Sequence, residues 1–276
     1  MRLGAPIFNY NNAQQWINTL LHKGYSAAYT PLNIDTALDD FIPYTALAKK
    51  HNISIAEFGV WNNPLHSNSA KRSKAIEDCK CSLFYADEIG AKCVVNISGS
   101  RGDIWDGPSD KNLTPETFDM VVEVVRDIID SVKPKRTYYT LETMPWMYPN
   151  SIESYSKLIK AIDRKAFSVH FDPVNLITSP EKYFNNDKLI TEFVDKLGQH
   201  IKSVHLKDIL LKPDFMVHLS EVKPGAGNLN HKTLFKALSS LDDDLPVMIE
   251  HLDSDVEYDA ARDYFRNLHD FIKPEQ

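Results

Sequence analysis

The stretch TYYTLETMPWMYPNSIESYSKLIKAIDRKAFSVHFD, residues 137–172, contains a complete strand–helix–strand unit. Residues 137–141 are aromatic, apolar or β-branched, which suits a strand. From Ser151 the pattern changes, and Tyr155, Leu158 and Ile159 recur at the spacing of one helix face. Residues 167–171 return to a strand. A strand, a crossover helix and a second strand imply parallel neighbours in one sheet. Both strands run directly into an acid, Glu142 and Asp172.

The same alternation extends in both directions. Upstream, strands are expected over 3–8, 25–29, 53–60 and 92–97, each followed by a helix, over 13–22, 36–50, 71–89 and 114–132. Downstream come a helix over 188–197, a strand over 201–206, a helix over 230–241, a strand over 246–249 and a closing helix over 256–272. Asn11 or Asn12 caps the first helix, Gly24 and Gly90 stop the first and third, and Thr114 precedes Pro115 at a helix start. Eight such units predict an α/β fold, a (β/α)8 TIM barrel forming one domain over 1–276, because closure removes both sheet edges. An open, doubly wound sheet would want a Gly-rich turn after the first strand, and 8–13 has none.

A chain of 276 residues is ordinary for such a barrel, which runs to about 250 residues. No apolar run approaches the ~20 residues of a membrane span, and the N-terminus lacks a secretory pattern. The net charge of −7, without a Lys/Arg cluster, argues against a nucleic-acid partner. Cys79, Cys81 and Cys93 are read as reduced structural thiols, with Cys79 and Cys81 pointing apart on a helix. A cytoplasmic location follows.

In α/β barrels the functional residues stand at the C-terminal ends of the strands. Here the last four strands end in Glu142, Asp172, His205 and Glu250. Alone, each has an ordinary explanation: a cap or ion pair for either glutamate, a turn start for Asp172 before Pro173, a hydrogen-bonded core position for His205. Together they crowd three carboxylates and an imidazole onto one rim. Such carboxylates repel one another, and buried charge without a partner is costly. One divalent cation answers both problems. Oxygen ligands with a single nitrogen suit Mn²⁺ first, with Mg²⁺, Co²⁺ or Zn²⁺ as alternatives. Lys207, Asp208 and His251 follow the same strand ends, either orienting the ligands or lying as rim charges.

The motifs Leu141-Glu142-Thr143-Met144-Pro145-Trp146, Val169-His170-Phe171-Asp172-Pro173-Val174-Asn175, Ser203-Val204-His205-Leu206-Lys207-Asp208 and Met248-Ile249-Glu250-His251 resemble the xylose-isomerase-like barrel superfamily. That superfamily contains sugar isomerases, sugar epimerases, inosose dehydratases and metal-dependent endonucleases. Pro224-Gly225-Ala226-Gly227 resembles its Pro-Gly-x-Gly segment, otherwise a Gly-rich turn without chemistry of its own. The resemblance covers essentially the whole chain. It implies a metal held by Glu142, Asp172, His205 and Glu250. As in the ketose epimerases, Glu142 and Glu250 also act as the catalytic acid and base across a metal-stabilised enediolate. Two positions depart from the ketose-epimerase pattern: Asn175 stands in place of a His, and 208–212 offers Lys212 but no Arg. These shift weight toward a lyase, the alternative to an isomerase or epimerase: dehydration of an inosose or β-elimination from a 3-keto-sugar. A non-catalytic sugar-binding barrel is the third reading.

Loops after the earlier strands carry groups suited to sugars. Trp61, His66, Arg101 and Trp146 are expected to bind substrate, with Asn175 and Lys207 completing the set. Glu57, near the third strand's end, is a further candidate to face the cavity. His218 and His231 are read as surface histidines on the connection after strand seven, and His66 follows strand three without the basic face an endonuclease needs. No phosphate site is evident beyond Arg101, so an unphosphorylated or oxidised sugar is expected. The resemblance also allows barrels to pair through rim loops into a homo-oligomer.

Overall fold

A computed structural model describes residues 1–268. Its strands are β1 (Arg2–Gly4), β2 (Ala27–Tyr29), β3 (Ser54–Gly59), β4 (Cys93–Asn96), β5 (Tyr138–Glu142), β6 (Phe167–Phe171), β7 (Ile201–Leu206), β8 (Asp208–Lys212), β9 (His218–Val222) and β10 (Pro246–Ile249). Eight of them close a parallel barrel in the order β1-β10-β7-β6-β5-β4-β3-β2, as the alternation implies. The other two, β8 and β9, form an antiparallel hairpin on the rim, where an unstructured connection was expected.

The helices are α1 (Ala13–Lys23), α2 (Ile42–Lys50), α3 (Ser69–Ile89), α4 (Pro115–Val132), α5 (Ile152–Ile162), α6 (Pro173–Leu176), α7 (Pro180–Phe184), α8 (Asn186–Leu197), α9 (His231–Leu238) and α10 (Asp255–Asn267). Their ends follow local chemistry. Asn12 caps α1 by accepting from Gln15 N, and Gly24 ends it with φ 65°. Thr114 caps α4 ahead of Pro115, and Ser151 and Ser154 form a reciprocal capping box on α5. The helix expected over 36–50 starts late. Leu38–Phe41 is a 3-10 turn, and Pro43, which has no N–H to donate, falls in the first turn of α2. The first strand is shorter than expected, and the part of the closing helix expected past Leu268 lies outside the described residues.

The main core lies between the strands and the helices. Trp16, Phe58, Tyr155, Phe193 and Phe265 are buried within it. Ala27, Ala56 and Met248 form a separate small cluster inside the barrel. Small residues there leave room above for the fully buried polar side chains of Glu57, His170 and His205. Among the described residues, no helix is long and apolar enough to cross a membrane.

Candidate active site

Four neighbouring strands, β10, β7, β6 and β5, carry Glu250, His205, Asp172 and Glu142 at or just past their ends. One ligand-type atom from each lies within 4.8 Å of all the others. His205 Nδ1 sits 2.7 Å from Glu250 Oε1, 3.2 Å from Glu142 Oε1 and 4.0 Å from Asp172 Oδ2. The opposite ring nitrogen, Nε2, is 3.2 Å from Glu57 Oε2. Glu57 also meets His170 Nε2 at 3.2 Å and accepts from the Ser203 hydroxyl. A carboxylate at Nε2 holds a proton there, so that loss of the Nδ1 proton to a bound cation would turn the Nδ1 lone pair toward the three acids.

Local structure assigns the two oxygens of Asp172 to different tasks. Oδ1 caps α6, accepting from Val174 N at 2.9 Å and Asn175 N at 3.2 Å. Oδ2 faces the cluster. The turn start, posed by the sequence as the alternative to a ligand, occupies Oδ1 and leaves Oδ2 to the cluster. Thr143 ties the ends of β5 and β6 together, donating to the Asp172 carbonyl at 2.8 Å. Asn175 donates to Glu142 Oε1 at 3.1 Å.

Lys207 contributes the cluster's ammonium, 2.6 Å from Glu250 Oε1, 2.7 Å from Asp172 Oδ2 and 3.5 Å from Glu142 Oε1. These are charge contacts: neither Asp172 Oδ2 nor Glu250 Oε1 has hydrogen-bond geometry with any donor. Burial drives Glu142 and Glu250 toward protonation, but Lys207 and His205 outweigh it and hold both below the usual carboxylate range. Asp172 is pushed up to about 7 by burial, with Lys207 opposing and Glu142 reinforcing. Burial works against a charged His205, but Glu250, Glu57 and Glu142 outweigh it and raise the imidazole well above its ordinary value, so without an ion the three carboxylates are met by the Lys207 ammonium and a His205 imidazolium. A divalent cation could replace the Nδ1 proton: one imidazole nitrogen facing three carboxylates, two of whose oxygens lack hydrogen-bond donors, fits such an ion.

Glu142, Glu250 and Lys207 line a cavity of about 640 Å³, while Asp172 and His205 are fully buried. Of the residues expected to bind substrate, Trp61, Asn175 and Lys207 line it. Three others do not. His66 folds back so that Nδ1 accepts from Asn68 N at 2.9 Å. Arg101 turns outward to Thr117 Oγ1 at 3.1 Å and Glu116 at 3.6 Å on α4. Trp146 is used in tying loops, its Nε1 donating to the Asp106 carbonyl at 2.7 Å. In each case a nearby loop or helix partner captures the group that a substrate would otherwise engage.

Other positions need correcting. His231 is buried rather than on the surface, bonding Tyr264 Oη at 3.1 Å and the Lys207 carbonyl at 2.8 Å. His218 is exposed, but on β9. Glu57 is buried beneath His205 and does not line the cavity. Asp208 orders the Gly-rich segment: its carboxylate accepts from Gly225 N, Gly227 N, Ile209 N and Leu229 N at 2.8–3.0 Å. A Cβ at Gly227 would fall 2.4 Å from Asp208 Oδ1, so only glycine fits there. Glu221, unanticipated because it rides on the hairpin, lines the cavity and meets His251 Nδ1 at 3.1 Å. Its signal was two short stretches, 208–212 and 218–222, broken by Pro213-Asp214.

No curated protein matches the sequence. Solved structures match over nearly the full length. A probable 3-DHS dehydratase, AsbF, involved in petrobactin synthesis in Bacillus anthracis, has a TM-score of 0.72 at 14% identity, covering 97% of this chain and 98% of that one. A xylose isomerase-like TIM barrel protein of Mycobacterium smegmatis, in complex with magnesium, has a TM-score of 0.70 at 15% identity, with 97% and 96% covered. D-psicose 3-epimerase with D-tagatose, from Clostridium cellulolyticum H10, has a TM-score of 0.69 at 14% identity, with 97% and 99% covered. At such identities these are likenesses of fold. The family model of the xylose isomerase-like TIM barrel matches residues 34–273, and the chain belongs to that family.

Proposed function

We propose that this chain is a divalent-metal-dependent isomerase or epimerase of a sugar or sugar derivative. The observation that carries this is the convergence of His205 Nδ1 with Glu142, Asp172 and Glu250, of which Glu142 and Glu250 line the cavity. These four residues would hold the ion, with Mn²⁺ the first choice for an oxygen-rich set with one nitrogen. A bound divalent cation supplies Lewis-acid stabilisation of charge developing on a carbonyl oxygen and its neighbouring hydroxyl.

The chain's own residues supply the proton chemistry. Glu142 and Glu250 stand at the two ends of a four-strand arc, with β6 and β7 between them. One accepts a proton from the carbon beside the carbonyl, and the other returns a proton from its own side. Both are held below the usual carboxylate range, so they are weak bases and positioning carries much of the rate. The Asn175 amide orients Glu142, and the buried network of Glu57, His170 and Ser203 orients His205. The free thiols of Cys79, Cys81 and Cys93 support a cytoplasmic setting.

Lys207 favours a second reading. Its ammonium lines the cavity beside Glu250, where it would stabilise an oxygen leaving group as a bond breaks. A lyase acting on an inosose or 3-keto-sugar would use the same proton abstraction. Incubation with a panel of keto-sugars in D2O separates the two. Solvent deuterium on carbon with mass otherwise unchanged supports the isomerase or epimerase. Loss of water or of an aglycone supports the lyase. If no keto-sugar exchanges a proton with the Mn²⁺-loaded protein, both readings fail.

A further inference from the structure

The cavity above the acidic cluster is divided. On the β5, β6, β7 and β10 side its wall carries Glu142, Asn175, Lys207 and Glu250, extended by Glu221 and His251. On the β1 to β4 side the wall is Ile7, Tyr10, Tyr29, Trp61, Ile97 and Trp105. Polar side chains are plentiful in the β3 and β4 loops, but they bond to one another. Asn96 donates to Asn62 Oδ1 at 2.9 Å, Asn63 donates to the Ser100 carbonyl at 2.8 Å, and Asn112 accepts from Arg101 N at 2.8 Å. What those loops leave facing the cavity is aromatic and aliphatic.

Charge narrows the choice further. Among the described residues no arginine lines the cavity, Lys207 is engaged by Asp172 and Glu250, and His251 by Glu221. Asp106 adds an acid on the apolar side. Asp106, Glu142, Glu221 and Glu250 line the cavity against Lys207 and His251, so a phosphate or carboxylate on the substrate would face a net acidic lining. Trp61 stands closest to the chemistry, its ring centroid 6.4 Å from that of His205, while Trp105 is 40% exposed at the rim. Tyr29 lines the same wall, its hydroxyl buried without a hydrogen-bond partner.

We propose that the substrate has two parts: an uncharged sugar head at the acidic cluster, and an apolar group of aromatic size against Trp61, Trp105 and Tyr10, as in an aryl glycoside or its keto derivative. This rests on the functional reading above for the placement of the head. Desolvating a ring-sized group against that wall supplies affinity that a free monosaccharide cannot gain.

The test is calorimetric titration of the Mn²⁺-treated protein with phenyl α- and β-D-glucopyranoside, D-glucose and D-glucose 6-phosphate, alongside a separate Mn²⁺ titration. At least one phenyl glucoside is expected to bind about tenfold or more tightly than glucose. Trp105→Ala is expected to remove most of that advantage while Mn²⁺ binding is unchanged. Equal or tighter binding of glucose or glucose 6-phosphate, or no binding of either phenyl glucoside, overturns the proposal. Absence of Mn²⁺ binding would instead overturn the metal reading, so the two failures are told apart.

Discussion

The two halves of the barrel rim use their strand ends differently. Along β5, β6, β7 and β10, the residues at or just after the strand ends project directly into the site: Glu142, Asp172, His205, Lys207 and Glu250. Along β3 and β4 the loops that follow the strands turn their polar groups onto one another and present Trp61 and Trp105 instead. A side chain fixed to a strand end has its direction set by the barrel. A side chain on a long loop has its direction set by whichever partner the loop offers first.

The largest expected effect lies in the charged half. Glu250→Gln and Glu142→Gln should each lower turnover of a keto-sugar substrate by about 10²–10⁴-fold. Circular dichroism should stay unchanged. Trp61→Ala should act mainly on KM. If Trp61→Ala lowers kcat as far as Glu250→Gln does, the division between a reacting half and a binding half fails.

Beneath the charged half, Glu57→Gln should weaken Mn²⁺ binding by about 10–100-fold, because His205 loses the partner that fixes its Nε2–H. Competition titration against a chelating dye measures this, and unchanged affinity would remove Glu57 from the site. Glu57→Ala tests packing instead and should cost folding stability as well.

His231 supports the Lys207 backbone from behind, and burial depresses its imidazole below the ordinary value of about 6.5. The unfolded chain therefore takes up that proton first. The associated stability is present above about pH 6.5 and is lost as pH falls through the lower folded value. Urea midpoints followed from pH 7 to 5 should decline, and His231→Gln should be less stable at pH 7 with a shallower decline. An unchanged slope would assign the acid sensitivity to other groups.

The smallest effect belongs to the loop half. Trp146→Phe removes one hydrogen bond, to the Asp106 carbonyl, and should cost about 1 kcal/mol by thermal or urea unfolding. Its kcat should stay within about twofold of the parent, since an aromatic ring is kept and no reacting group moves. A large kcat loss would return Trp146 to the substrate-binding set.

The same division explains what was legible in the sequence. Glu142, Asp172, His205 and Glu250 each follow an apolar strand, so alternation alone fixes both their place on the rim and their mutual proximity. His66, Arg101 and Trp146 have residue types suited to sugars, but their partners at Asn68, Thr117 and Asp106 depend on loop paths that no periodicity encodes. Glu57 lies inside β3 rather than at its end, and its burial becomes intelligible only when His170 and His205 are brought against it across the barrel. The β8–β9 hairpin escaped because 208–212 directly continues the β7 run, hiding a second strand and with it Glu221.

The most direct test of the account is Mn²⁺ titration of chelator-treated protein, followed by calorimetry and by paramagnetic resonance of the bound ion. One Mn²⁺ per chain is predicted, with nitrogen coupling from His205. Binding should be lost or weakened by more than about tenfold in Asp172→Asn and His205→Gln. Failure to bind, or binding indifferent to both substitutions, would contradict the central claim that these four strand-end residues form one metal centre.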